Sequence, residues 1–414
     1  MSALKYWVWL CTVPGLHNRS RWLLLDHFAT AEEIYYADEG ELRLVEDLPP
    51  EQLDKLTDRS LERAEAILTD CAAKEIFVLT AQDAAYPARL RSIYDAPVLL
   101  YGKGSMPLFD EEAAIAMVGT RKCTPYGTHA AEDLGFQLAK QGAIVVSGLA
   151  RGIDSASQMG ALRAGGFVAA VLGCGVDVVY PASSRRLYED IARRGVLLSE
   201  YPPGTTPDGW RFPQRNRIIS GLSVATVVVE APEKSGALIT ANLALEQGRD
   251  VFAVPGPVDA PDSRGCNRLI QEGAGLVMDG WDILREYQER FPHRLRPDSS
   301  HLPPMPEEDA REEASAPAKA VEETKAEEKP AAPARPVLDL TRGTAGLADD
   351  QILVLGALDT QEGRLTDEVA EDTGLPVRRV LSALTILEID GYVRQQGTRR
   401  FVRTVDLKIT EEKG

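Results

Sequence analysis

An alternation that runs from residue 110 to residue 288 constrains the fold more than any other feature. Seven short runs, AIAMVG, AIVVSG, FVAAVLG, VLLSEY, ATVVVEA, VFAVPG and GLVMD, are apolar, rich in β-branched residues and bounded by Gly or Pro. Between most of them lie stretches of helical character: YGTHAAEDLGFQLAKQG, GIDSASQMGALRAGG, SSRRLYEDIARRG, SGALITANLALEQGR and CNRLIQEGA. Strands that read as unbroken apolar runs are covered on both faces, and repeated strand–helix units bring successive strands parallel. The expected fold class is α/β, a Rossmann-like, doubly wound, mostly parallel sheet. On such a sheet a ligand sits outside the carboxyl ends of the strands, near the point where strand order reverses.

Three other regions flank this core. Residues 1–72 read as short helices joined by polar turns, with Pro14–Gly15 ahead of one amphipathic run and Ala29–Thr30 ahead of another. That is the outline of a SAM-like or helix-hairpin-helix domain, which serves either as a DNA or protein contact or as a plain helical bundle. The sheet domain is expected over 73–288, with 73–110 as an N-terminal extension. Residues 289–345 carry so much Pro, Ala, Glu and Lys, and so little bulky apolar surface, that they are expected to form a disordered acidic linker. Residues 346–408 read as helix, helix-turn-helix and hairpin, a winged helix, with Thr366 as an N-cap, Gly374 in the turn and Gly397 at the hairpin tip. From Val377 to Thr404 six Arg face one Glu and one Asp, which suits duplex DNA, although a winged helix can equally serve protein contacts.

Charge opposes nucleic-acid binding at first sight. The formal net charge is −17, and an acidic surface repels phosphates. A DNA site therefore needs local basic patches, with the acid placed elsewhere; much of it falls in the linker. Five scattered cysteines, Cys11, Cys71, Cys123, Cys174 and Cys266, form no C-x-x-C pair, which fits a reducing cytoplasm and buried small side chains rather than disulfides or zinc. No apolar run approaches the ~20 residues that span a bilayer, and the N-terminus reads as the start of a helix rather than a signal peptide.

The strand ends supply the chemistry. AMVGTRKCTPYG carries Gly119, Thr120, Arg121 and Lys122 just ahead of a helix, the place where a βα loop cradles phosphate. VVSGLARGIDSAS places Ser147, Gly148, Arg151 and Gly152 as a possible anion nest, with Asp154 as a cap rather than an acid catalyst. LGCGVDVVYP adds Gly173 and Gly175. WRFPQRNRIISGLS sets Arg211, Arg215 and Arg217 among Trp210 and Phe212 with no acid between them. Guanidiniums for phosphates beside aromatics for bases suit a single strand; the other reading has the rings plug the sheet edge and the arginines cap carbonyls. In VVVEAPEKSGALITANLALEQG, Lys234 stands at a helix start and Glu230 at a strand end, as a nucleophile or as a capping carboxylate. The dinucleotide G-x-G-x-x-G and Walker patterns are absent, as are a nucleophile elbow and His at metal spacing, so no cofactor, metal or catalytic residue is expected.

The stretches YPARLRSIYDAPVLLYGKG, AMVGTRKCTPYG, SGLARGID, FPQRNRIISGLS, EAPEKSGALITANLALEQGRDVFAVPG and GCNRLIQEGA, taken in order, resemble the DNA-processing protein A (DprA, or Smf) family of bacteria. The resemblance implies a cytoplasmic, non-enzymatic, homodimeric protein that binds single-stranded DNA and loads the recombinase RecA, past single-strand-binding protein, during natural transformation. It maps DNA contacts onto Arg121, onto Ser147, Gly148, Arg151 and Gly152, and onto Phe212, Arg215, Asn216 and Arg217, with Lys234 a further contact. Two alternatives are a nucleotide phosphoribohydrolase, whose Pro-Gly-Gly-x-Gly-Thr loop is missing here, and a nucleotide-sensing winged-helix transcription regulator.

Overall fold

The apolar runs form strands whose alternate side chains feed two separate cores. In β3 (Ala114–Val118), Ala114, Ala116 and Val118 join one core, while Ile115 and Met117 join the other. A strand buried on both faces needs this, because its side chains point alternately to opposite sides. The computed structural model describes residues 3–297, 337–339, 347–360, 363–395 and 400–408.

The chain enters through helices α1 (Leu4–Thr12), α2 (Asn18–Phe28), α3 (Ala31–Tyr36), α4 (Glu39–Leu42), α5 (Pro50–Leu53) and α6 (Glu62–Ala73), followed by β1 (Phe77–Thr80), α7 (Ala88–Arg91) and β2 (Leu99–Gly104). After β3 it alternates through α8 (Pro125–Lys140), β4 (Ile144–Ser147), α9 (Ile153–Arg163), β5 (Val168–Val171), α10 (Arg185–Arg194) and β6 (Val196–Ser199). It continues through α11 (Arg211–Gly221), β7 (Ala225–Val228), α12 (Gly236–Glu246), β8 (Asp250–Ala253), α13 (Arg264–Gln271), β9 (Gly275–Leu276) and α14 (Gly280–Leu284). The nine strands lie in the order β1-β2-β6-β5-β4-β3-β7-β8-β9. From β6 to β9 all neighbours are parallel, as in Ile115 opposite Ala225 and Val118 opposite Val228; β2 is antiparallel to both β1 and β6. The fold is thus a Rossmann-like, mostly parallel sheet. Order reverses about β3, with β4 on one side and β7 on the other, and the crevice of a doubly wound sheet opens there.

Two boundaries differ from the sequence reading. The helices of residues 3–72 are no separate body: Trp7, Leu10, Leu24 and Ile34 share one core with Leu99, Val146 and Leu198 of the sheet. Trp22 Nε1 donates to the Ala96 carbonyl at 2.9 Å, and Asn18 Nδ2 to Glu200 Oε1 at 2.7 Å. Helices this short and aromatic cannot close a core alone, so they use the sheet face. At the other end, described chain runs past residue 288: Phe291 and Leu295 are buried against the second core, and Arg296 N donates to the Gln141 carbonyl at 3.0 Å. The stretches 298–336 and 340–345 of the expected linker lie outside the described residues. All five cysteines are free; Cys71, Cys174 and Cys266 are buried, whereas Cys11 and Cys123 are only half-buried.

The C-terminal residues form a second compact unit. Its β10 (Val337–Asp339) lies within the range expected to be linker and pairs in parallel with β14 (Asp406–Lys408). Helices α15 (Asp349–Ala357), α16 (Thr366–Thr373) and α17 (Val377–Ile389) pack around Val354, Leu355, Val380 and Leu384. A small sheet, in the order β11 (Arg364–Leu365), β13 (Arg400–Arg403), β12 (Val393–Gln395), completes a winged helix. Gly374 takes the left-handed turn at φ 67°. Thr366 is the first helical residue rather than the cap: Leu365 holds that position, and its N–H donates to Glu368 Oε2 at 2.9 Å. Gly397 lies outside the described residues.

Candidate nucleic-acid interface

At the carboxyl ends of β3, β4 and β7 a cavity of about 460 Å³ opens. The β3–α8 loop brings Gly119, Thr120, Arg121 and Lys122 to it, the β4–α9 loop Ala150 and Asp154, helix α11 Phe212, Arg215 and Asn216, and the start of α12 Lys234 and Ser235. Eight of the fourteen residues named from sequence meet here: Gly119, Thr120, Arg121, Lys122, Phe212, Arg215, Asn216 and Lys234. Gly119 is required by close approach, since a Cβ there would stand 2.4 Å from Ile153 and 2.9 Å from the Glu230 carbonyl.

The cavity wall is built from its own hydrogen bonds. Thr120 N donates to the Glu230 carbonyl at 2.8 Å, which ties the loop to the end of β7. The buried Glu230 carboxylate accepts Thr124 N at 2.8 Å and Thr124 Oγ1 at 2.5 Å, while Thr124 Oγ1 in turn accepts Gly127 N and caps α8. Glu230 is therefore a structural cap rather than a nucleophile. Asp154 Oδ2 accepts Gly148 N at 3.1 Å, so this carboxylate caps its own loop. Burial raises the pKa of Asp154, against the pull of the nearby Arg215.

The arginines of WRFPQRNR are split by their helix. Arg215 points into the protein: its guanidinium donates to the Gly148 carbonyl at 2.8 Å and to the Val171 carbonyl, and its Nε to Asn216 Oδ1 at 3.2 Å. Burial brings its pKa down to about 10. It lines the cavity but caps carbonyls. Arg217 faces away, toward α2 and β6. Its Nη2 bonds both Glu200 oxygens at 2.8 Å, and its Nε bonds Asp95 Oδ2 at 2.9 Å. Against the burial that pulls it down, Glu200 and Asp95 hold its pKa above the usual value. The expectation that Arg217 meets a phosphate is corrected accordingly, because its charge is already neutralised. Trp210 lines the same separate cavity as Arg217, about 380 Å³ in volume. It is half exposed, with Nε1 donating to Asp208 Oδ2 at 2.7 Å and the Arg211 guanidinium 5.0 Å from its ring centre.

Phe212 is half-buried. The Tyr180 ring stacks on it at 5.5 Å and 26°, and the Arg121 guanidinium lies 5.2 Å from its centre. Tyr180 was not singled out from sequence; LGCGVDVVYP was read for Gly173 and Gly175 alone. The anion nest expected at Ser147, Gly148 and Gly152 is also corrected. Ser147 Oγ is buried and donates to the Met117 carbonyl at 2.6 Å, the Gly148 amide is taken by Asp154, and Gly152 (φ 82°) packs against Thr120 and Arg121. Arg151 is exposed and opens onto a neighbouring cavity. Among the described residues, Arg121, Lys122 and Lys234 have no carboxylate within ion-pair distance, and no cluster of three His, Cys, Asp or Glu could hold a metal ion. No described helix is long and apolar enough to cross a membrane.

Residues 77–288 match the family model described as DNA recombination-mediator protein A, and residues 322–397 match the DprA winged helix domain. The chain is 46% identical over 205 residues to the DNA processing protein DprA of Bacillus subtilis, covering 50% of this chain and 69% of that one. It is 38% identical over 287 residues to the protein Smf of Synechocystis, covering 68% and 72%. The X-ray structure of DNA processing protein A from Streptococcus pneumoniae superposes with a TM-score of 0.58 at 38% identity, over 68% of this chain and 97% of that one.

Proposed function

The chain belongs to the DNA recombination-mediator protein A family, and from that premise we propose that it binds single-stranded DNA across the carboxyl edge of its sheet and passes it to a recombinase. The observation that carries the reading is the cavity at the switch point, where Arg121, Lys122 and Lys234 converge without carboxylate partners on a chain of net charge −17. Charge left uncompensated at a crevice attracts a polyanion, and counterion release supplies the affinity.

In this reading the strand's phosphates lie along Arg121, Lys122 and Lys234, with the α12 amides behind them. A base rests against the Phe212 edge or the Arg121 plane. Arg215 shapes the floor instead of touching the strand. The protein acts by holding the strand, and no bond is made or broken. RecA is the recombinase we propose as recipient, with single-strand-binding protein as the competitor displaced. A homodimer would present two tracks and gain avidity from linking them.

Arg121→Glu tests the site. Affinity for an oligo-dT strand, read by fluorescence anisotropy at low salt, should fall about tenfold or more, and the salt dependence should become shallower by about 0.7 per lost phosphate contact. The circular dichroism spectrum should not change. Unaltered affinity in a folded variant overturns the reading.

A further inference from the structure

A second cavity, larger at about 580 Å³, lies between α9 and α10, on the other side of the β4–α9 loop. Its floor is apolar, formed by Met159, Leu162 and Leu187, and its rim carries four arginines. Two of these have a carboxylate nearby: Arg163 Nη1 lies 3.3 Å from Glu132, and Arg194 Nη2 lies 3.9 Å from Asp190, whose same oxygen Arg193 holds at 2.6 Å. The other two, Arg151 and Arg186, are exposed and have no ion pair among the described residues. The cavity thus combines an apolar bed with two free guanidiniums. A nucleotide has the matching chemistry, a flat base attached to an anionic phosphate.

Position indicates where such a nucleotide comes from. Ala150 and Asp154 line the first cavity, while Arg151, Gly152 and Ser155 line the second. The two therefore share one loop as a common wall. That wall is firm, because Gly152 packs so closely on Thr120 and Arg121 that an added Cβ would stand 2.3 Å from the Thr120 carbonyl oxygen. Arg151 sits on the shared loop, and Arg186 lines the second cavity with it.

We propose that the cavity between α9 and α10 is a second nucleotide site, in which Arg151 and Arg186 hold the phosphates and Met159 and Leu187 the base of the strand as it continues from the first cavity. The proposal rests on the reading that the first cavity binds a strand. The same chemistry would admit a free mononucleotide, so the test separates the two sources.

The test uses the full chain with Arg186→Glu and, separately, Met159→Glu; both side chains are exposed, so the fold should hold. Neither residue lines the first cavity. Fluorescein-labelled oligo-dT is titrated over a length series, with unlabelled dTMP as a competitor. The expected result is that the shortest strands bind wild type and variants alike, whereas the affinity gained on lengthening drops about fivefold or more in both variants. Excess dTMP should remove no more than that gain. If both variants keep the full length dependence, the second site is overturned while strand binding stands. If wild type binds no oligonucleotide of any length, the earlier reading fails, and the second site fails with it as a strand site. Binding of dTMP that Arg186→Glu abolishes in that case identifies a free-nucleotide pocket and likewise overturns the continuation.

Discussion

At the scale of single residues, the use of an arginine depends on what folds against it. Arg215 and Arg217 stand two positions apart in one motif, yet one caps carbonyls at the cavity floor and the other lies in an ion-pair network on a different face. Arg217→Ala leaves the half-buried Glu200 carboxylate with its charge and, among the described residues, the Asn18 amide as its remaining side-chain partner. Removing one member of a buried pair costs about 3 kcal/mol or more, far above the ~0–1 kcal/mol of an exposed pair. Urea denaturation should show this loss; a change under about 1 kcal/mol would mean the pair behaves as if exposed. Gly148→Ala probes Arg215 without altering charge. Its Cβ would stand 2.4–2.6 Å from the guanidinium, so the loop must shift. Strand affinity should fall although no cation is lost, and retained affinity would show that Arg215 does not set the cavity's shape.

At the scale of elements, the β3–α8 loop is the one that holds Arg121 in place. It is fixed at one end by the Thr120 amide on the Glu230 carbonyl and at the other by Thr124 on the Glu230 carboxylate. Gly127 makes room for that carboxylate, since a Cβ there would lie 2.4 Å from Glu230 Oε2. Glu230→Ala leaves a helix-cap amide and hydroxyl without their acceptor, at a cost of about 1–3 kcal/mol. Thermal unfolding should show the loss. Oligo-dT affinity should fall as well, even though a negative charge has been removed beside a polyanion site. A rise in affinity would mean that Glu230 acts by charge rather than by holding the loop. The sequence exposed this element in part: VGTR before a helix reads as a phosphate loop, and Glu230 was weighed as a cap. It did not reveal that α11 is a helix, because aromatic and charged residues in WRFPQRNR show no helical period, and burial against β5 and α12 decides its state.

At the scale of the molecule, the N-terminal helices are joined to the sheet by charge as well as by apolar surface. Lys74, just after α6, donates to Asp70 and Asp177, each at 2.7 Å, and Asp177 also accepts the Gly204 amide. Burial alone would raise the pKa of Asp177, but the Lys74 and Gly204 hydrogen bonds bring it below its ordinary 3.8. The bonds to Asp177 and Asp70 raise Lys74 above its ordinary 10.5. A depressed carboxyl stabilises above its unfolded pKa and loses that contribution as pH falls through the folded one; a raised amine stabilises below its unfolded pKa and loses it as pH rises. The contribution is therefore full between pH 3.8 and 10.5. Lys74→Ala should lower Tm by a constant amount across that window, and the difference should shrink as pH drops below 3.8. A difference that persists in acid would show that the side chain acts by packing alone. By itself the sequence determined the α/β alternation, the mostly parallel sheet, the winged helix and the rim where glycines and cations gather, because apolar period and turn chemistry are local properties of the chain. Only the tertiary structure decided which cations stay free. Asp95 lies 122 residues from Arg217, and the Gly148 carbonyl 67 from Arg215, so partners that cancel or redirect a charge are brought in by topology, which no local pattern records.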